Sequence, residues 1–110
     1  MNDERERRAG LNEALFRQVN EEIRSLTDDL GSEGATITVI CECGDAGCTE
    51  RIELRRSEYE RVRGDSLLYV IARGHHLPEV ERVVERRNCW EIVRKIGVAS
   101  DVAEETDPRS

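Results

Sequence analysis

The stretch Cys41-Glu42-Cys43-Gly44-Asp45-Ala46-Gly47-Cys48 places three thiols within eight residues, around a turn that carries two glycines. In an extended segment, residues two apart point to the same side, so the first two cysteines share one face of a strand. The glycines allow the chain to fold back and return the third cysteine toward them. The pattern predicts a β-hairpin with arms 36–43 and 48–54 that carries most of a metal site.

Zinc is the metal that such a set of ligands favours, because soft thiolates bind it well. Structural zinc sites are almost always four-coordinate, so three cysteines leave one position for His75, His76, Cys89 or water. The glycine turn at Gly74-His75-His76, between two apolar segments, could bring a histidine to the site and favours the first one. We predict one zinc ion with a ligand set that consists of Cys41, Cys43, Cys48 and His75.

Disulfides and ordinary buried thiols are the alternatives to a metal site. Cysteines two apart on one strand face are badly placed to bond each other. The chain opens with charged residues and shows no apolar run typical of a signal peptide or of a membrane span. We therefore expect a cytoplasmic protein, in a reducing compartment that keeps thiols available for metal. Isolated buried cysteines are common, but three around one turn are not.

Length and charge limit the possible functions. A chain of 110 residues fits one domain with a modest core, for which a structural metal is a usual supplement. The charged fraction is 37%, against 4% aromatic residues, and the net charge is -7. An acidic balance argues against general nucleic-acid binding. The sequence shows no membrane segment and no evident small-molecule site.

Residues 1–34 are predicted to form an N-terminal amphipathic helix and a linker, with the helix over about residues 2–30. Apolar residues recur there in steps of three and four, which gives the helix one apolar face. We expect its C-terminal part, at Ile23 and Leu26, to pack on the domain's own sheet and its N-terminal part, at Leu11 and Leu15, to contact another protein or a second copy of the chain. Alternatively, the whole face packs on the sheet. The apolar stripe consists of Leu11, Leu15, Val19, Ile23, Leu26 and Leu30, widened by Phe16.

The remaining chain predicts a zinc-stabilised antiparallel sheet domain over residues 35–97. Ser57 with Glu60 three residues later is a capping box, which predicts a short helix that ends near Gly64. The apolar run 67–72 predicts a central strand, and 79–96 predicts a hairpin with its turn at Arg87-Asn88. Residues 98–110 are expected to be a loose acidic tail. The predicted fold class is α+β: a long N-terminal helix on a small antiparallel sheet of about five strands, with the zinc-bound hairpin and one short helix.

Six short motifs of the sequence carry a resemblance to a protein family. They are Cys41-Glu42-Cys43, Cys48-Thr49-Glu50-Arg51, Tyr59-Glu60-Arg61-Val62-Arg63, Gly74-His75, Glu81-Arg82-Val83-Val84-Glu85 and Val93-Arg94-Lys95. With them the chain resembles a family of short uncharacterised actinobacterial proteins with a Cys-x-Cys-x4-Cys and a later Gly-His pattern, from about Glu4 to Arg109. The resemblance implies that His75, rather than His76, is the regular histidine and that Cys89 is not a family position. It implies an architecture and a metal pattern, but no activity.

The function that needs the fewest special features is a non-catalytic zinc module, zinc finger-like, that serves protein–protein interaction or regulation. It is not expected to be an enzyme, because no catalytic constellation is visible and catalytic zinc usually takes histidine and carboxylate ligands. One alternative is a thiol-based redox or zinc sensor, in which oxidation of the cysteines ejects the metal. Another is a nucleic-acid-binding zinc module that uses five arginines, diluted by neighbouring glutamates: Arg51, Arg55, Arg56, Arg61 and Arg63.

Overall fold

The computed structural model describes residues 3–27, 36–45 and 47–109 of the chain. It has a mixed α+β fold, as predicted. The predicted linker at 31–34 and the end of the helical stripe at Leu30 lie outside the described residues. Within the described ranges, no helix combines the length and the apolar character needed to cross a membrane. The elements are α1 Asp3–Thr27, β1 Thr36–Ile40, β2 Arg51–Arg55, α2 Arg56–Arg63, β3 Leu68–Ala72, β4 Glu81–Arg86, β5 Trp90–Lys95 and α3 Val98–Glu105.

The described strands form two small antiparallel sheets, of two and three strands, instead of the single five-stranded sheet predicted. The first is the predicted hairpin of β1 and β2, in which Val39 lies opposite Ile52. The second has the order β3-β5-β4, so β5 is central and the predicted central position of β3 is wrong. β3 is nevertheless buried, because the chain after β1 runs along its free edge, where the Glu42 amide donates to the Val70 carbonyl at 2.9 Å.

One apolar core lies between the two sheets and α2. β1 and β2 alternate buried and exposed residues, as expected of a half-covered ribbon. α2 adds Tyr59 and Val62, both fully buried, and ends at Arg63, with Gly64 as its C-cap. The predicted capping box is not formed, since α2 begins at Arg56 and its first turn has no side-chain cap. The buried apolar residues of both sheets belong to this single core.

α1 packs with a different face from the one predicted. Leu11 and Leu15, which the sequence places outside the contact with the sheet, are 48% and 61% exposed. The alternative, in which the whole stripe packs on the sheet, is therefore wrong at the N-terminal half of the stripe, while Phe16, Val19 and Ile23 are half-buried. Small and polar residues face the protein instead, because they allow close approach and make specific hydrogen bonds. Among the residues of α1 whose side chains the structure describes, the buried ones are Ala9, Gly10, Glu13, Ala14, Arg17 and Asn20.

The segment expected to be a loose tail contains α3, which packs against α1. α3 buries Ala99, Val102 and Ala103. The contact is close, because a Cβ placed on Gly10 would lie 3.2 Å from a methyl carbon of Val102. Short side chains on both helices permit this distance, and they carry too weak a hydrophobic signal to mark the segment as a helix in advance.

The polar residues that α1 buries make specific contacts. Arg17 donates to the Ser66 carbonyl at 2.7 Å and to the Ala103 carbonyl at 2.8 Å, and its guanidinium lies 4.6 Å from the centre of the Tyr69 ring. These bonds tie α1 to the loop before β3 and to α3. Both terminal nitrogens of the buried guanidinium are satisfied in this way, whereas its Nε has no hydrogen-bond partner among the described residues.

A second buried group joins α1 to the three-stranded sheet. Lys95 on β5 lies between Glu13 of α1 and Glu81 of β4 and donates to both carboxylates. All three side chains are at most 1% exposed. Burial raises the pKa of Glu13 from its ordinary value of 4.5 to about 8. A protonated Glu13 leaves Lys95 facing one carboxylate charge rather than two.

Candidate metal centre

The cysteine loop is shaped by a turn at its acidic residue. The amide of Gly47 donates to the Asp45 carboxylate at 2.8 Å, and the amide of Cys48 donates to the Asp45 carbonyl at 3.0 Å. Aspartate often stabilises turns through such bonds to its own backbone neighbourhood. The Cys41 amide donates to the Glu50 carbonyl at 2.8 Å, so the base of the loop continues the β1–β2 pairing. The loop thereby returns Cys48 toward the first two thiols.

Glycine is required in this loop by close packing. A positive φ is found at Gly74 and Gly97 among the described residues, and at neither glycine of the cysteine loop. The chain therefore folds back through Gly44 and Gly47 without the left-handed backbone conformation that favours glycine. A Cβ there would lie 2.9 Å from a methyl carbon of Leu77 and 3.2 Å from the Cβ of Ala9. A larger residue at this position would push the loop away from α1 and from the histidine loop.

The histidine comes from the end of β3, in the other sheet. Gly74 has a φ of 85°, a conformation that side-chain-bearing residues rarely adopt, and it turns the chain immediately before His75. The His75 amide donates to the Ala72 carbonyl at 3.1 Å. The amide of Ala72 donates to the sulfur of Cys41 at 3.1 Å. The residues that position the histidine thus also contact the first cysteine.

The four predicted residues converge. The sulfur atoms of Cys41, Cys43 and Cys48 and the closest ring nitrogen of His75 all lie within 4.8 Å of one another. His75 Nδ1 is 3.7 Å from Cys41 Sγ and 3.6 Å from Cys48 Sγ. In a tetrahedral zinc shell, bonds of about 2.3 Å to sulfur and about 2.0–2.1 Å to nitrogen place these atoms about 3.6 Å apart. The donor set therefore has the composition and the spacing to hold a metal ion.

The thiols influence one another electrostatically. A hydrogen bond from Cys41 lowers the pKa of Cys43 to about 5, and the same interaction raises the pKa of Cys41. Burial raises the pKa of Cys48. The protein's own groups thus favour one thiolate, whereas metal ligation requires all three cysteines deprotonated. A bound cation would supply the missing compensation of charge.

Glu42, between Cys41 and Cys43, anchors the cysteine loop from the side opposite to the thiols. Glu42 is fully buried; it accepts hydrogen bonds from Arg63 at 3.0 Å, from the Val70 amide at 3.0 Å and from Asn20 at 2.8 Å. Alternation along the strand shows only that Glu42 points away from the thiols. Its partners lie on α1, α2 and β3, so no local sequence pattern could have identified them.

The alternative fourth ligands lie outside the cluster. His76 follows His75, but its buried Nδ1 has no hydrogen-bond partner among the described residues and does not belong to the converging set. Cys89 is exposed in the turn between β4 and β5. It lines an open cleft of about 930 Å³ that also contains Trp90 and several arginines. The described cysteines are all free thiols, with no disulfide among them.

The five arginines considered as a nucleic-acid-binding surface do not all lie on the surface of the fold. Arg63 is 3% exposed and is occupied by Glu42, so it belongs to the interior. Arg61 points outward and pairs with Glu85 at 2.8 Å. A continuous surface formed by all five arginines is therefore ruled out by the position of Arg63.

The fold and the site together define a small α+β domain with a three-cysteine, one-histidine cluster suited to a metal ion. Comparison with known proteins identified no matching family, no matching curated protein and no matching solved structure. The resemblance to short actinobacterial proteins stays a prediction.

Proposed function

We propose that the protein is a zinc-stabilised, non-catalytic module whose surface serves protein–protein interaction. The observation that carries the proposal is the convergence of three sulfurs and one imidazole nitrogen within 4.8 Å. Thiolate-rich sets of this kind select zinc over harder metals such as magnesium and calcium, which prefer oxygen ligands. Zinc also needs no redox partner, in keeping with the cytoplasmic location expected from the sequence.

The zinc has a structural role, because its ligands come from both sheets. Cys41, Cys43 and Cys48 belong to the loop of the β1–β2 hairpin, and His75 follows β3. A metal ion at this point cross-links two sheets that are not paired strand to strand. In a chain of this length, such a link supplements a core that is small. Four protein ligands close the tetrahedral shell and leave no position for a reactive water, which supports a non-catalytic role.

The charge distribution supports a protein partner over a nucleic acid. The chain carries a net charge of -7, and the outward-facing Arg61 is paired with a carboxylate. Phosphate binding requires unpaired cations, because it depends on the release of condensed counterions. Exposed leucines on α1 offer instead the apolar area that protein interfaces use.

The proposal is tested first by the metal content of the purified chain. Native mass spectrometry is expected to show one zinc per chain and no second metal, and denaturing conditions are expected to release it. Removal of the metal with a strong chelator is expected to abolish the cooperative thermal transition. A chain that purifies without metal and melts cooperatively in the presence of chelator would refute the structural role.

The identity of the fourth ligand is tested by comparing alanine variants of the two neighbouring histidines. His75→Ala removes a donor of the cluster, whereas His76→Ala changes the adjacent residue and leaves the cluster intact. A competition titration with a chromophoric chelator is expected to show zinc loss at a lower chelator concentration for His75→Ala. Equal retention by the two variants would assign the fourth position to another ligand.

A further inference from the structure

The outer face of α1 exposes large apolar side chains to solvent. Among the described residues, the large hydrophobic side chains that are clearly exposed are Leu11, Leu15 and Val84, and the first two are one helical turn apart. Leu15 is 61% exposed, which is a substantial apolar area for a chain with so little apolar material. Adjacent exposed leucines on one helix face mark a contact surface more often than scattered single ones do.

The stripe continues on both sides of Leu15. A helix turns by about 100° per residue, so Arg8, Leu11, Val19 and Glu22 all lie within about 40° of Leu15 around the axis. Val19 is half-buried, and Arg8 and Glu22 are exposed. The face therefore has an apolar centre, the basic Arg8 followed by the acidic Glu4 toward its N-terminal end, and the acidic Glu22 toward its C-terminal end.

The charges are arranged symmetrically about the centre. Arg8 and Glu22 are each seven residues from Leu15, and Leu11 and Val19 are each four residues from it. When two such helices meet in antiparallel orientation at Leu15, Arg8 of each copy faces Glu22 of the other, about 10 Å from the centre at 1.5 Å per residue. A parallel arrangement would place like charges opposite each other. The pattern is thus complementary to itself in one orientation only.

We infer that the partner of this face is a second copy of the chain, bound through an antiparallel α1–α1 contact with two-fold symmetry about Leu15. Isologous contacts of this kind use one self-complementary patch on both subunits. The existing Arg8–Glu4 pair at 3.2 Å does not compete strongly, because both side chains are highly exposed. The inference specifies the partner of the interaction module proposed above, but no residue of the metal centre takes part in the contact.

Sedimentation of the zinc-loaded full-length chain over a series of concentrations tests this contact. The unaltered chain is expected to form a reversible dimer. Leu15→Glu should raise the dissociation constant at least about a hundredfold, because it places like charges at the centre of a two-fold interface. Val84→Glu alters a residue of comparable exposure on β4 and should leave the dimer unchanged. The inference would be overturned if the unaltered chain is monomeric at every concentration. It would also be overturned if the Leu15→Glu variant dimerises as strongly as the unaltered chain.

Charge reversal tests the orientation. Arg8→Glu and Glu22→Arg are each expected to weaken the dimer about tenfold, since each replaces two attractive contacts by repulsive ones. The double variant restores both contacts with exchanged signs and should dimerise like the unaltered chain. A double variant that is no better than the single ones would overturn the antiparallel arrangement. Zinc content and thermal midpoint, measured in parallel, separate failure of this contact from failure of the metal site.

Discussion

The candidate metal centre and the charged cluster beneath α1 both join parts of the fold that are not connected by strand pairing. In the metal centre, three of the four groups come from one eight-residue loop, and the fourth follows Cys48 by 27 residues. In the charged cluster, Lys95 and Glu13 are 82 residues apart. The first has a recognisable spacing, whereas the second consists of ordinary charged residues that become partners only when the chain is folded.

The two regions also differ in how their charges are compensated. The cysteine cluster is expected to need an external cation, because three thiolates cannot be held together by the one nearby imidazole. The charged cluster is compensated internally, because Lys95 lies between the carboxyl groups of Glu13 and Glu81. Loss of metal should therefore affect only the first region directly, and the predictions below separate the two contributions.

The largest expected effect is that of Cys43→Ser, which removes a buried donor from the cluster. Structural zinc contributes apparent binding free energies of about 10–16 kcal/mol, compared with a total stability of about 5–15 kcal/mol for a typical domain. The variant should lose zinc and its cooperative thermal transition. Cys89→Ser, which alters the exposed thiol, is the control and should retain both. Identical melting curves for the two variants would show that the cysteine cluster does not stabilise the fold.

The next effect is that of Arg63→Met, which leaves the Glu42 carboxylate buried without its cation. Breaking one side of a buried ion pair costs about 3–5 kcal/mol. Arg61→Met is the matched control on the same helix, because Arg61 is 49% exposed at its side chain and its pair with Glu85 should contribute about 0–1 kcal/mol. Chemical denaturation of the zinc-loaded variants measures both changes. Similar losses at the two positions would contradict the role assigned to the buried pair.

A smaller effect is expected in the pH dependence of stability. The folded-state pKa of Glu13 is raised from 4.5 to about 8, so folding favours its protonated form. Its contribution to the free energy of unfolding is complete below 4.5 and is lost as the pH rises through about 8. Glu13→Gln keeps the shape of the protonated acid, and it should flatten the decline in stability between about pH 4.5 and about pH 8. Glu53→Gln, which alters an exposed carboxylate, is the control and should show the same change of the free energy of unfolding with pH as the unaltered chain. If Glu13→Gln also shows that unchanged pH dependence, the raised pKa of Glu13 is refuted.

The smallest effect on the monomer is expected on the outer face of α1. Leu15→Gln should change the free energy of unfolding by no more than about 0.5 kcal/mol at concentrations where the chain is monomeric. Ala14→Gln, at the adjacent buried position, places an amide against the protein and should cost about 1–3 kcal/mol. Denaturation of both variants measures the contrast between the two faces. A large loss in Leu15→Gln would mean that this leucine already contributes to the folded monomer.

The local elements of the fold could largely be predicted from the sequence, because each has a short-range signal. Alternation and a glycine-rich turn indicated the β1–β2 hairpin, and an apolar run with the Arg87-Asn88 turn indicated the strands of the second sheet. The converging residues Cys41, Cys43, Cys48 and His75 were also identified, since thiols close in sequence are few and a histidine after a glycine is conspicuous. α3 was missed because its buried residues are mainly small.

What only the tertiary structure decided is which surfaces meet. The helical period of α1 shows that Leu11 and Leu15 share a face, but it does not reveal whether that face lies on the protein or in solvent. The fold places Glu13 and Arg17 inside, because Lys95 of β5 and the Ala103 carbonyl of α3 bind them there, and it leaves the leucines outside. In the same way, β3 is an edge strand that Glu42 covers. Contacts between distant residues depend on the whole packing, so a single local pattern cannot determine them.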